Sequence, residues 1–420
     1  MEREKNYEVK DLGLAEQGKK NIELAETRMG PVMEIKKRFE KEKPLKGITV
    51  GMALHVTKET AVLVRTLVAG GAKVAITSCN PLSTQDDVAA ALVEENVNVY
   101  AYKGESKEDY YRYLEKVLSH NPNVLIDDGL DLITEVHTKR KELIKNIVGG
   151  CEETTTGVIR VKAMEREGVL KFPVIAVNDN KTKHLLDNYY GTGQSTLDGI
   201  MRATNILFAG KTVVVAGYGD CGKGVALRAK GLGANTIVTE VDAFRALQAK
   251  LDGHRVMPMQ EAVKEGDIFI TVTGNKNVIT LKHVKNMKEG AILANSGHFD
   301  VEIDVAGIKK AAKSIRRVRP FMDEYIVDGK KIYILGEGRL INLVAGEGHP
   351  SEVMATSFAG QAMAVEYLVK NRGKLPPKVI SLPEEIDNKI AELQLKAMGV
   401  KKDELTDEQI KYLSSWREGT

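Results

Sequence analysis

The stretch VVVAGYGDCGKG, from Val213 to Gly224, joins a short β-branched run to a closely spaced series of glycines. The run predicts a strand, and the Ala/Lys/Leu-rich segment after it predicts a helix. Gly217, Gly219 and Gly222 have the spacing of a nucleotide-binding turn, which needs one glycine to turn, one to admit a pyrophosphate and one for helix-on-strand packing. We therefore expect a phosphate group at the start of this helix.

The next predicted strand, Asn235 to Glu240, ends in a carboxylate. Glu240 stands at the distance from the glycines where such turns place a partner for the ribose hydroxyls of NAD. Its charge should repel a 2′-phosphate and disfavour NADP. NAD is therefore the expected cofactor, and Asp220 within the turn is a further expected contact. These residues leave open whether NAD is consumed as a hydride carrier or regenerated within each cycle.

Composition excludes several other classes. A chain of 420 residues suggests two or three domains, each with its own core. Lys plus Arg exceeds Asp plus Glu by 61 minus 58, or +3, which gives no argument for a nucleic-acid or membrane partner. Three widely spaced cysteines support neither a disulfide framework nor a cysteine zinc site, and we expect no metal. This use of cysteine fits a reducing cytoplasm, which is the expected location. No apolar run reaches membrane-spanning length.

Apolar runs of strand length alternate with helical patterns in two series, which is typical of α/β layers with largely parallel sheets. The first series is Ile48–Ala53, Lys73–Thr77, Asn98–Ala101, Val124–Asp127 and Val174–Val177. The second has six strands, beginning at Lys211 and continuing with Thr236–Glu240, Val256–Met259, Ile268–Thr273, Ile292–Asn295 and Ile332–Leu335. We therefore expect an α/β fold of two doubly wound, Rossmann-like domains with parallel sheets, followed by a helical C-terminal tail.

Polar side chains follow the strands of the first series, where an open α/β sheet binds its ligands. His55 follows the first strand, and Asp127 and Asp128 follow the fourth. Adjacent strand residues face opposite ways, so one of these carboxylates should be structural and the other should face a ligand. Each residue also has a structural interpretation: His55 as a core or loop histidine, Thr57 and Thr84 as helix N-caps, and Asp-Asp-Gly as a turn.

Several longer motifs occur along the chain in an order that is typical of one family. They are LHVTKETAVLVRTL, SCNPLSTQDD, DDGLDL, EETTTGV, VNDNKTKHLLDNYYG, AGYGDCGKG, NSGHFDVEID and GEGRLINLVAGEGHPSEVM, and they span most of residues 45–360. With them the chain resembles the S-adenosyl-L-homocysteine hydrolase family. The resemblance implies that tightly bound NAD+ oxidises the substrate's ribose 3′-hydroxyl, that the acidified 4′ proton is removed and homocysteine eliminated, and that water addition and re-reduction give adenosine.

The resemblance also implies roles for individual residues. It implies catalytic roles for His55, Asp128, Lys183, Asp187 and Asn188, substrate contacts for Thr57, Glu59, Glu153, His298 and His349, and cofactor contacts for Thr154, Thr155, Thr156 and Asn342 beside Gly217, Gly219, Asp220, Gly222 and Glu240. Lys183 is the expected base toward the 3′-hydroxyl, and Asp128 is the expected carboxylate near the 4′ proton. His55 is expected to transfer protons to water and thiol.

The expected organisation follows from the same resemblance. Residues 1–185 and 348–385 should form the substrate-binding domain, residues 186–347 the NAD-binding domain and residues 386–420 the tail. The two crossings, near Asn180–Tyr190 and Ala345–His349, should be hinges that close over the substrate. A homotetramer acting on small molecules is implied, with S-adenosylhomocysteine, adenosine and homocysteine as ligands.

Three alternatives remain open at the level of sequence. The same chemistry could act on S-inosyl-L-homocysteine, a conventional NAD-dependent hydroxy-acid dehydrogenase would share the second series of strands, and a non-catalytic adenosine or NAD sensor would share the binding motifs. The chain also departs from the resemblance at three positions. Thr192 replaces a cysteine, Arg245 replaces an asparagine, and Glu347 stands where many members carry an apolar residue.

Overall fold

The strands of the computed structural model, which describes residues 6–417 and 419, form two separate sheets. The strands are β1 (Thr49–Ala53), β2 (Lys73–Thr77), β3 (Asn98–Tyr100), β4 (Val124–Asp127), β5 (Gly149–Glu152), β6 (Val174–Ala176), β7 (Thr212–Ala216), β8 (Asn235–Thr239), β9 (Arg255–Val256), β10 (Ile268–Thr271), β11 (Ala291–Asn295), β12 (Ser314–Arg319), β13 (Met322–Val327), β14 (Lys330–Leu335) and β15 (Val379–Ile380). Residues 1–5 of the expected substrate-binding domain, and residues 418 and 420 of the expected tail, lie outside the described residues.

Helices connect the strands and cover both sheets. They are α1 (Ala15–Glu26), α2 (Gly30–Glu42), α3 (Lys58–Ala69), α4 (Asp86–Glu94), α5 (Lys107–Ser119), α6 (Asp131–Thr138), α7 (Thr155–Arg166), α8 (Lys181–His184), α9 (Thr192–Thr204), α10 (Asp220–Gly231), α11 (Ala243–Leu251), α12 (Met259–Ala262), α13 (Leu281–Val284), α14 (Val305–Ala311), α15 (Ile341–Val344), α16 (Ser351–Lys370), α17 (Glu384–Ala397) and α18 (Asp407–Leu413). Among the described helices, none has the length and apolar character needed to cross a bilayer.

The first sheet has the strand order β15-β6-β5-β4-β1-β2-β3, and every pairing in it is parallel. The chain builds outward from β1 to β3 and then returns to build from β4 to β6 on the other side. The strand order therefore reverses between β1 and β4. Such a reversal leaves a crevice beyond the carboxyl ends of the two strands, where open α/β sheets bind ligands.

The second sheet has the order β12-β13-β14-β11-β10-β7-β8-β9, with its reversal between β7 and β10. The pairings from β14 to β9 are parallel, but β12 pairs with β13 and β13 with β14 in the antiparallel sense. The predicted α/β fold is confirmed, and the six expected strands of the second sheet pair with one another in the parallel sense. The sheet is nevertheless mixed, because β12 and β13 add an antiparallel edge that was not expected. The strand β12 was not predicted because SIRRVR is an exposed edge strand whose arginines interrupt the apolar alternation.

The first sheet also contains two strands that were not expected. The strand β5 reads Gly-Gly-Cys-Glu and lacks the β-branched residues that mark its neighbours, and β15 has only two residues. The expected strand Val256–Met259 is shorter, because Pro258 ends it and α12 begins at Met259. Thr57 caps α3 as predicted, whereas the prediction for Thr84 was wrong, since Gln85 is the N-cap of α4.

The central parallel strands of each sheet are buried on both faces, as strands covered by helices on both sides should be. On β4, Val124 and Ile126 belong to one apolar cluster while Leu125 belongs to the other. On β7, Val213 and Val214 divide between two clusters in the same way. The long helix α16 follows the second sheet in sequence but packs on the first, beside α2, α3 and β5. The chain therefore returns to the first sheet after Gly348.

Candidate functional site

Most of the predicted site residues line one cavity between the carboxyl ends of the two sheets. Those that line it are His55, Thr57, Glu59, Asp128, Glu153, Thr154, Lys183, Asp187, Asn188, His298, Asn342 and His349. The cavity spans both sheets, because Asp128 follows β4 and His298 follows β11. His298 Nδ1 lies 3.5 Å from Asp128 Oδ1, so the two sheet edges contact each other through this pair.

Asp127 and Asp128 have different partners, as strand alternation predicts. Asp127 accepts hydrogen bonds from the backbone N–H groups of Asp128 and Ile133, at 3.0 and 2.8 Å, and so fixes the turn that leads into α6. Burial raises the pKa of Asp127 to about 8. Asp128 instead faces the cavity, where its Oδ2 lies 3.4 Å from His55 Nε2. Asp128 is therefore the carboxylate available to a ligand.

His55 is held in one orientation by contacts on both ring nitrogens. Its Nδ1 lies 2.7 Å from the hydroxyl of Ser83, and its Nε2 faces Asp128. Burial lowers the pKa of His55 to about 4, although the charge of Asp128 opposes the shift. The imidazole is therefore neutral near pH 7, the form that accepts a proton.

A lysine forms the centre of the cavity, with charged and polar oxygens on several sides. Lys183 Nζ lies 3.2 Å from Asp187 Oδ1, 2.8 Å from Asn188 Oδ1 and 3.7 Å from Glu153 Oε1. Burial alone would lower the pKa of Lys183, but Asp187 and Glu153 raise it above its ordinary value. Burial alone would raise the pKa of Asp187, but Lys183 and His349 lower it below its ordinary value. In this arrangement Lys183 is an ammonium beside an ionised Asp187.

Helix α16 holds the third carboxylate of this cluster. Glu153 accepts hydrogen bonds from the Ser357 hydroxyl and the Gln361 amide, which occupy successive turns of α16. Burial raises the pKa of Glu153 to about 7, although Lys183 opposes the shift. The Glu153 carboxyl is therefore close to half-protonated at neutral pH and is a proton acceptor next to Lys183.

A separate ionic network borders the far end of the cavity. The buried Glu59 accepts a hydrogen bond of 2.6 Å from Ser351 and lies 3.5 Å from Lys58 Nζ. Lys58 also pairs at 3.0 Å with Glu347, whose pKa it lowers, and Glu347 lies 3.3 Å from Arg202 on α9. Glu347 thus joins a helix of the first sheet to a helix that packs on the second.

The glycine turn between β7 and α10 has the geometry that its sequence predicts. Gly217 has φ +105°, in the left-handed region that favours glycine. A Cβ at Gly222 would overlap the carbonyl oxygen of Gly217, so the helix packs directly on the turn. Gly219 is open on its outer side, where the nearest atom to an added Cβ is Arg245 Nη1 at 3.7 Å. Among the described residues, no side chain caps α10, so its first N–H groups are available to a ligand at this turn, where Asp220 is the first residue of the helix.

Glu240 lies beside this turn but already has backbone partners. Its carboxylate accepts hydrogen bonds of 2.7 Å from the N–H groups of Tyr218 and Val241, and one of 3.0 Å from that of Asp242. The carboxylate therefore also holds the turn and the start of α11 in place. Each carboxylate oxygen has two lone pairs, so these bonds leave room for a ribose hydroxyl.

The residues around the groove fit a dinucleotide. Asn342 donates to Ser195 at 3.1 Å, while its buried Oδ1 has no hydrogen-bond partner among residues 6–417 and 419. A buried acceptor of this kind calls for a donor, and an amide at the far end of a dinucleotide would supply one. Thr156 Oγ1 comes from the first sheet and lies 3.6 Å from the Cβ position of Gly274, in the loop after β10.

Thr155 lies outside the cavity, whereas its neighbour Thr154 lines it. Thr155 is exposed and donates at 3.2 Å to Asn178, so this hydroxyl orders the loop before α8. Thr154 is the N-cap residue of α7.

The ring nitrogens of His55 and His298 and a carboxylate oxygen of Asp128 lie within 4.8 Å of one another, a spacing that could also hold a metal ion.

Sequence analysis missed several residues that hold the predicted ones. Ser83 orients His55, Ser351 binds Glu59, and Ser357 and Gln361 bind Glu153. A signal exists for the last pair, because they are polar residues four positions apart on the otherwise apolar face of α16, and both are buried. Polar groups on a buried face need partners, so this spacing indicates a bound side chain.

Comparisons with known proteins agree over nearly the whole chain. The family model described as S-adenosyl-L-homocysteine hydrolase matches residues 6–146, and that of the family's NAD binding domain matches residues 188–348. The S-inosyl-L-homocysteine hydrolase of Methanocaldococcus jannaschii is 61% identical over 414 residues, covering 99% of this chain and 100% of that protein. The adenosylhomocysteinases of Saccharolobus solfataricus and Aquifex aeolicus are 59% and 58% identical, each covering 99% of this chain and 100% of the relative.

Proposed function

Because the chain belongs to the S-adenosyl-L-homocysteine hydrolase family, we propose that it catalyses the reversible hydrolysis of S-adenosyl-L-homocysteine to adenosine and L-homocysteine with tightly bound NAD. One observation carries the proposal. The buried cluster of Lys183, Asp187, Asn188 and Glu153 shares a cavity with Asp128, beside the glycine turn that fits a dinucleotide. A simple binding protein has no need for so many buried ionisable groups around one cavity.

NAD, when bound, supplies the acceptor and donor of hydride, and the protein supplies the proton transfers and the orientation. We assign removal of the proton from the ribose 3′-hydroxyl to Lys183. The ammonium must first lose a proton, and Glu153, at 3.7 Å with its pKa raised to about 7, is the neighbouring group able to take it. Asn188 fixes the lysine, because its Oδ1 accepts from Nζ while its Nδ2 donates to Asn178 at 3.1 Å.

We assign removal of the 4′ proton to Asp128. We assign proton transfer to water and to the thiol to His55. A 3′-ketone on the substrate makes the 4′ C–H acidic, and a carboxylate in the cavity can remove that proton. His55 is neutral near pH 7 because burial lowers its pKa to about 4, so it can accept a proton from water and return it. His298 faces the other oxygen of Asp128 and would close this end of the cavity against water.

We further propose that residues 1–185 and 348–385 bind the substrate, that residues 186–347 bind NAD, that residues 386–420 form a helical tail, and that the two larger units close about the crossings near Asn180–Tyr190 and Ala345–His349. The contacts between Asp128 and His298, and between Lys58 and Glu347, support a closed arrangement. Solution scattering should show a more compact particle with adenosine and NAD+ than with NAD+ alone. Identical curves at saturating ligand would count against an open resting state.

A second candidate substrate is S-inosyl-L-homocysteine, because the relative from Methanocaldococcus jannaschii carries that name at 61% identity. Glu59 lines the cavity and offers a carboxylate acceptor at the purine end that we assign to it. Adenine presents a 6-amino donor to such an acceptor, whereas hypoxanthine presents its N1–H. We expect adenosine to be preferred, since the 6-amino group offers two donors.

One product assay tests both substrates. The purified protein with its bound NAD is incubated with S-adenosyl- and S-inosyl-L-homocysteine in parallel, and homocysteine, nucleoside and NADH are measured. We expect homocysteine release with no net change in nicotinamide redox state. Stoichiometric accumulation of NADH would instead indicate a conventional dehydrogenase, and binding without product would indicate a sensor.

We also propose a cytoplasmic homotetramer. The use of only three cysteines, all free, suits a reducing compartment. Large apolar side chains are exposed on α11 and near the end of the chain, among them Phe244 at 74%, Leu413 at 70% and Trp416 at 89% exposure, which supports burial against other subunits. Light scattering coupled to gel filtration should give four times the chain mass of 46.1 kDa. A monomeric mass would contradict the proposal.

A further inference from the structure

A continuous line of polar contacts leaves the lysine cluster and ends at the glycine turn. Lys183 Nζ contacts Asp187 Oδ1 at 3.2 Å, and the same oxygen lies 3.0 Å from His349 Nδ1. On the other side of the ring, His349 Nε2 lies 3.3 Å from Thr192 Oγ1, which lies 3.6 Å from Cys221 Sγ. The line thus crosses α8, the loop before α16, and the first turns of α9 and α10.

The imidazole in this line is held closely in place. A Cβ at Gly191 would approach His349 Nδ1 to 2.7 Å, so the ring packs directly against the backbone before α9. Both ring nitrogens therefore keep their partners, Asp187 on one side and Thr192 on the other. Cys221 is the second residue of α10, so the line ends in the helix that begins at the glycine turn.

The hydrogen-bond roles along this line have two consistent arrangements. Asp187 is ionised and accepts from Nδ1 in either case. With a neutral imidazole, Nε2 is an acceptor, the Thr192 hydroxyl donates to it, and the Cys221 thiol donates to Thr192. With a protonated imidazole, Nε2–H donates to Thr192, and the hydroxyl donates to the sulfur. Burial raises the pKa of Cys221 to about 11, so the thiol keeps its proton and both arrangements remain possible.

We propose that Thr192 is a positioning residue for the oxidation step. Its hydroxyl can either donate to His349 Nε2 or accept from it, with Cys221 Sγ as its other partner, and so it keeps His349 against Asp187 in both protonation states of the imidazole. The inference rests on the proposed function, since Lys183 and Asp187 are the groups assigned to the 3′-hydroxyl. When the ring gains a proton, Nε2–H needs an acceptor and the hydroxyl turns to the sulfur. When the ring loses it, the hydroxyl turns back.

The test uses the enzyme with its bound NAD and measures the rate at which bound NAD+ is reduced on adding adenosine. Thr192→Val keeps the shape and removes the hydroxyl. We expect the oxidation rate to fall about tenfold, the loss expected for one hydrogen bond. Adenosine affinity should change by less than about twofold. Thr192→Ser should restore the rate, and Cys221→Ala should give a smaller loss than Thr192→Val.

Two further readouts separate positioning from a merely structural role. In Thr192→Val a protonated ring leaves Nε2–H without an acceptor, so the acid limb of the oxidation rate against pH should move to lower pH. The ring ¹⁵N signals of His349 should also change, read in protein labelled at its eight histidines. Thr204→Val is the matched control, because Thr204 lies on the same helix and the described contacts of its hydroxyl are with backbone groups: it donates to the Ile200 carbonyl at 2.6 Å and accepts from the Ile206 N–H at 3.2 Å.

The possible outcomes are distinct. A wild-type rate and an unchanged pH profile in Thr192→Val would overturn the inference while leaving the proposed function intact. An equal loss in Thr192→Val, Thr192→Ser and Thr204→Val would show that only the stability of α9 was affected, and would also overturn it. If the wild-type enzyme fails to reduce bound NAD+ with adenosine, the proposed function fails and the inference fails with it.

Discussion

The crevices of the two sheets lie at equivalent positions, where the strand order reverses, but they are built from different groups. At the second sheet, the turn between β7 and α10 offers glycines and backbone N–H groups within a dozen consecutive residues. At the first sheet, the lysine cluster and Asp128 come from loops after β4, β5 and β6 and are held by α16. The comparison shows that a crevice that recognises a nucleotide can be shaped by the backbone of one short segment. A crevice that performs proton transfer needs charged side chains brought together from distant segments.

Burial has different consequences at the two crevices: it shifts pKa values at the first and limits side-chain size at the second. Around the first, burial of ionisable groups shifts the pKa values of His55, Lys183, Glu153 and Asp187, because each buried charge depends on its neighbours. Around the second, the principal constraint is steric, since Gly222 has no room for a side chain. Changes of charge should therefore be most damaging at the first crevice, and changes of size at the second.

The largest expected effect is that of Lys183→Ala, which removes the central charge of the first crevice. Loss of a general base typically lowers a rate ~10²–10⁴-fold, and we expect such a loss in the reduction of bound NAD+ on adding adenosine. Nucleoside binding should remain. The matched control is Lys162→Ala, because Lys162 forms an exposed ion pair with Asp179 at 2.9 Å. A wild-type oxidation rate in Lys183→Ala would remove the lysine from its assigned role.

Asp128→Asn should separate two steps within the first crevice. Oxidation should proceed more readily than in Lys183→Ala, while exchange of the substrate's 4′ proton with solvent deuterium slows about 10²-fold or more. Asp127→Asn is the comparison, since Asp127 binds backbone N–H groups rather than facing the cavity. Asp127→Asn should lower the midpoint of thermal unfolding. Equal loss of exchange in both variants would contradict the division of roles.

At the second crevice, Gly222→Ala should weaken the binding of NAD. The added methyl group would overlap the Gly217 carbonyl oxygen, and overpacking of this kind costs about 1–3 kcal/mol, or roughly five- to a hundredfold in affinity. Calorimetric titration of NAD+ into cofactor-free protein measures the effect. Gly231→Ala, at the end of the same helix, meets no atom within 4 Å and should bind NAD+ normally. Similar weakening in both would mean that helix α10 as a whole, rather than the turn, was disturbed.

The smallest expected effect is a difference in pH dependence between two glutamates. Burial raises the pKa of Glu153 from 4.5 to about 7, so the native state binds more protons than the unfolded state between these values, and stability falls as pH rises through this window. Glu153→Gln should remove that decline, which a shift of this size limits to about 3 kcal/mol. Urea unfolding from about pH 3 to about pH 8 measures it, and the acidic end of that range covers the second glutamate.

Glu347→Gln provides the opposite sign. Lys58 lowers the pKa of Glu347, so the ion pair adds stability above pH 4.5 that is lost as pH falls below the ordinary pKa. Glu347 is 60% exposed, so the effect should stay below about 1 kcal/mol. Each variant's change in the free energy of unfolding, relative to wild type, should depend on pH with a sign opposite to that of the other variant. The same sign in both would show that burial does not control the pKa of Glu153 or that ion pairing does not control that of Glu347.

The sequence by itself determined the features that depend on neighbouring residues. The turn at Gly217, the N-cap at Thr57 and the alternation of Asp127 and Asp128 each follow from local geometry, and motifs in order along the chain indicated the family. The antiparallel edge of the second sheet was not predicted, because the exposed arginines of β12 show no apolar pattern and its pairing depends on β13.

Only the tertiary structure decided which groups meet. His349 and Asp187 are far apart in sequence, yet they lie 3.0 Å apart because the chain returns to the first sheet after Gly348. The same return buries Glu153 against Ser357 and Gln361, and this burial raises the pKa of Glu153 to about 7. A pKa depends on burial and on charges contributed by other segments, and these exist only after the chain has folded.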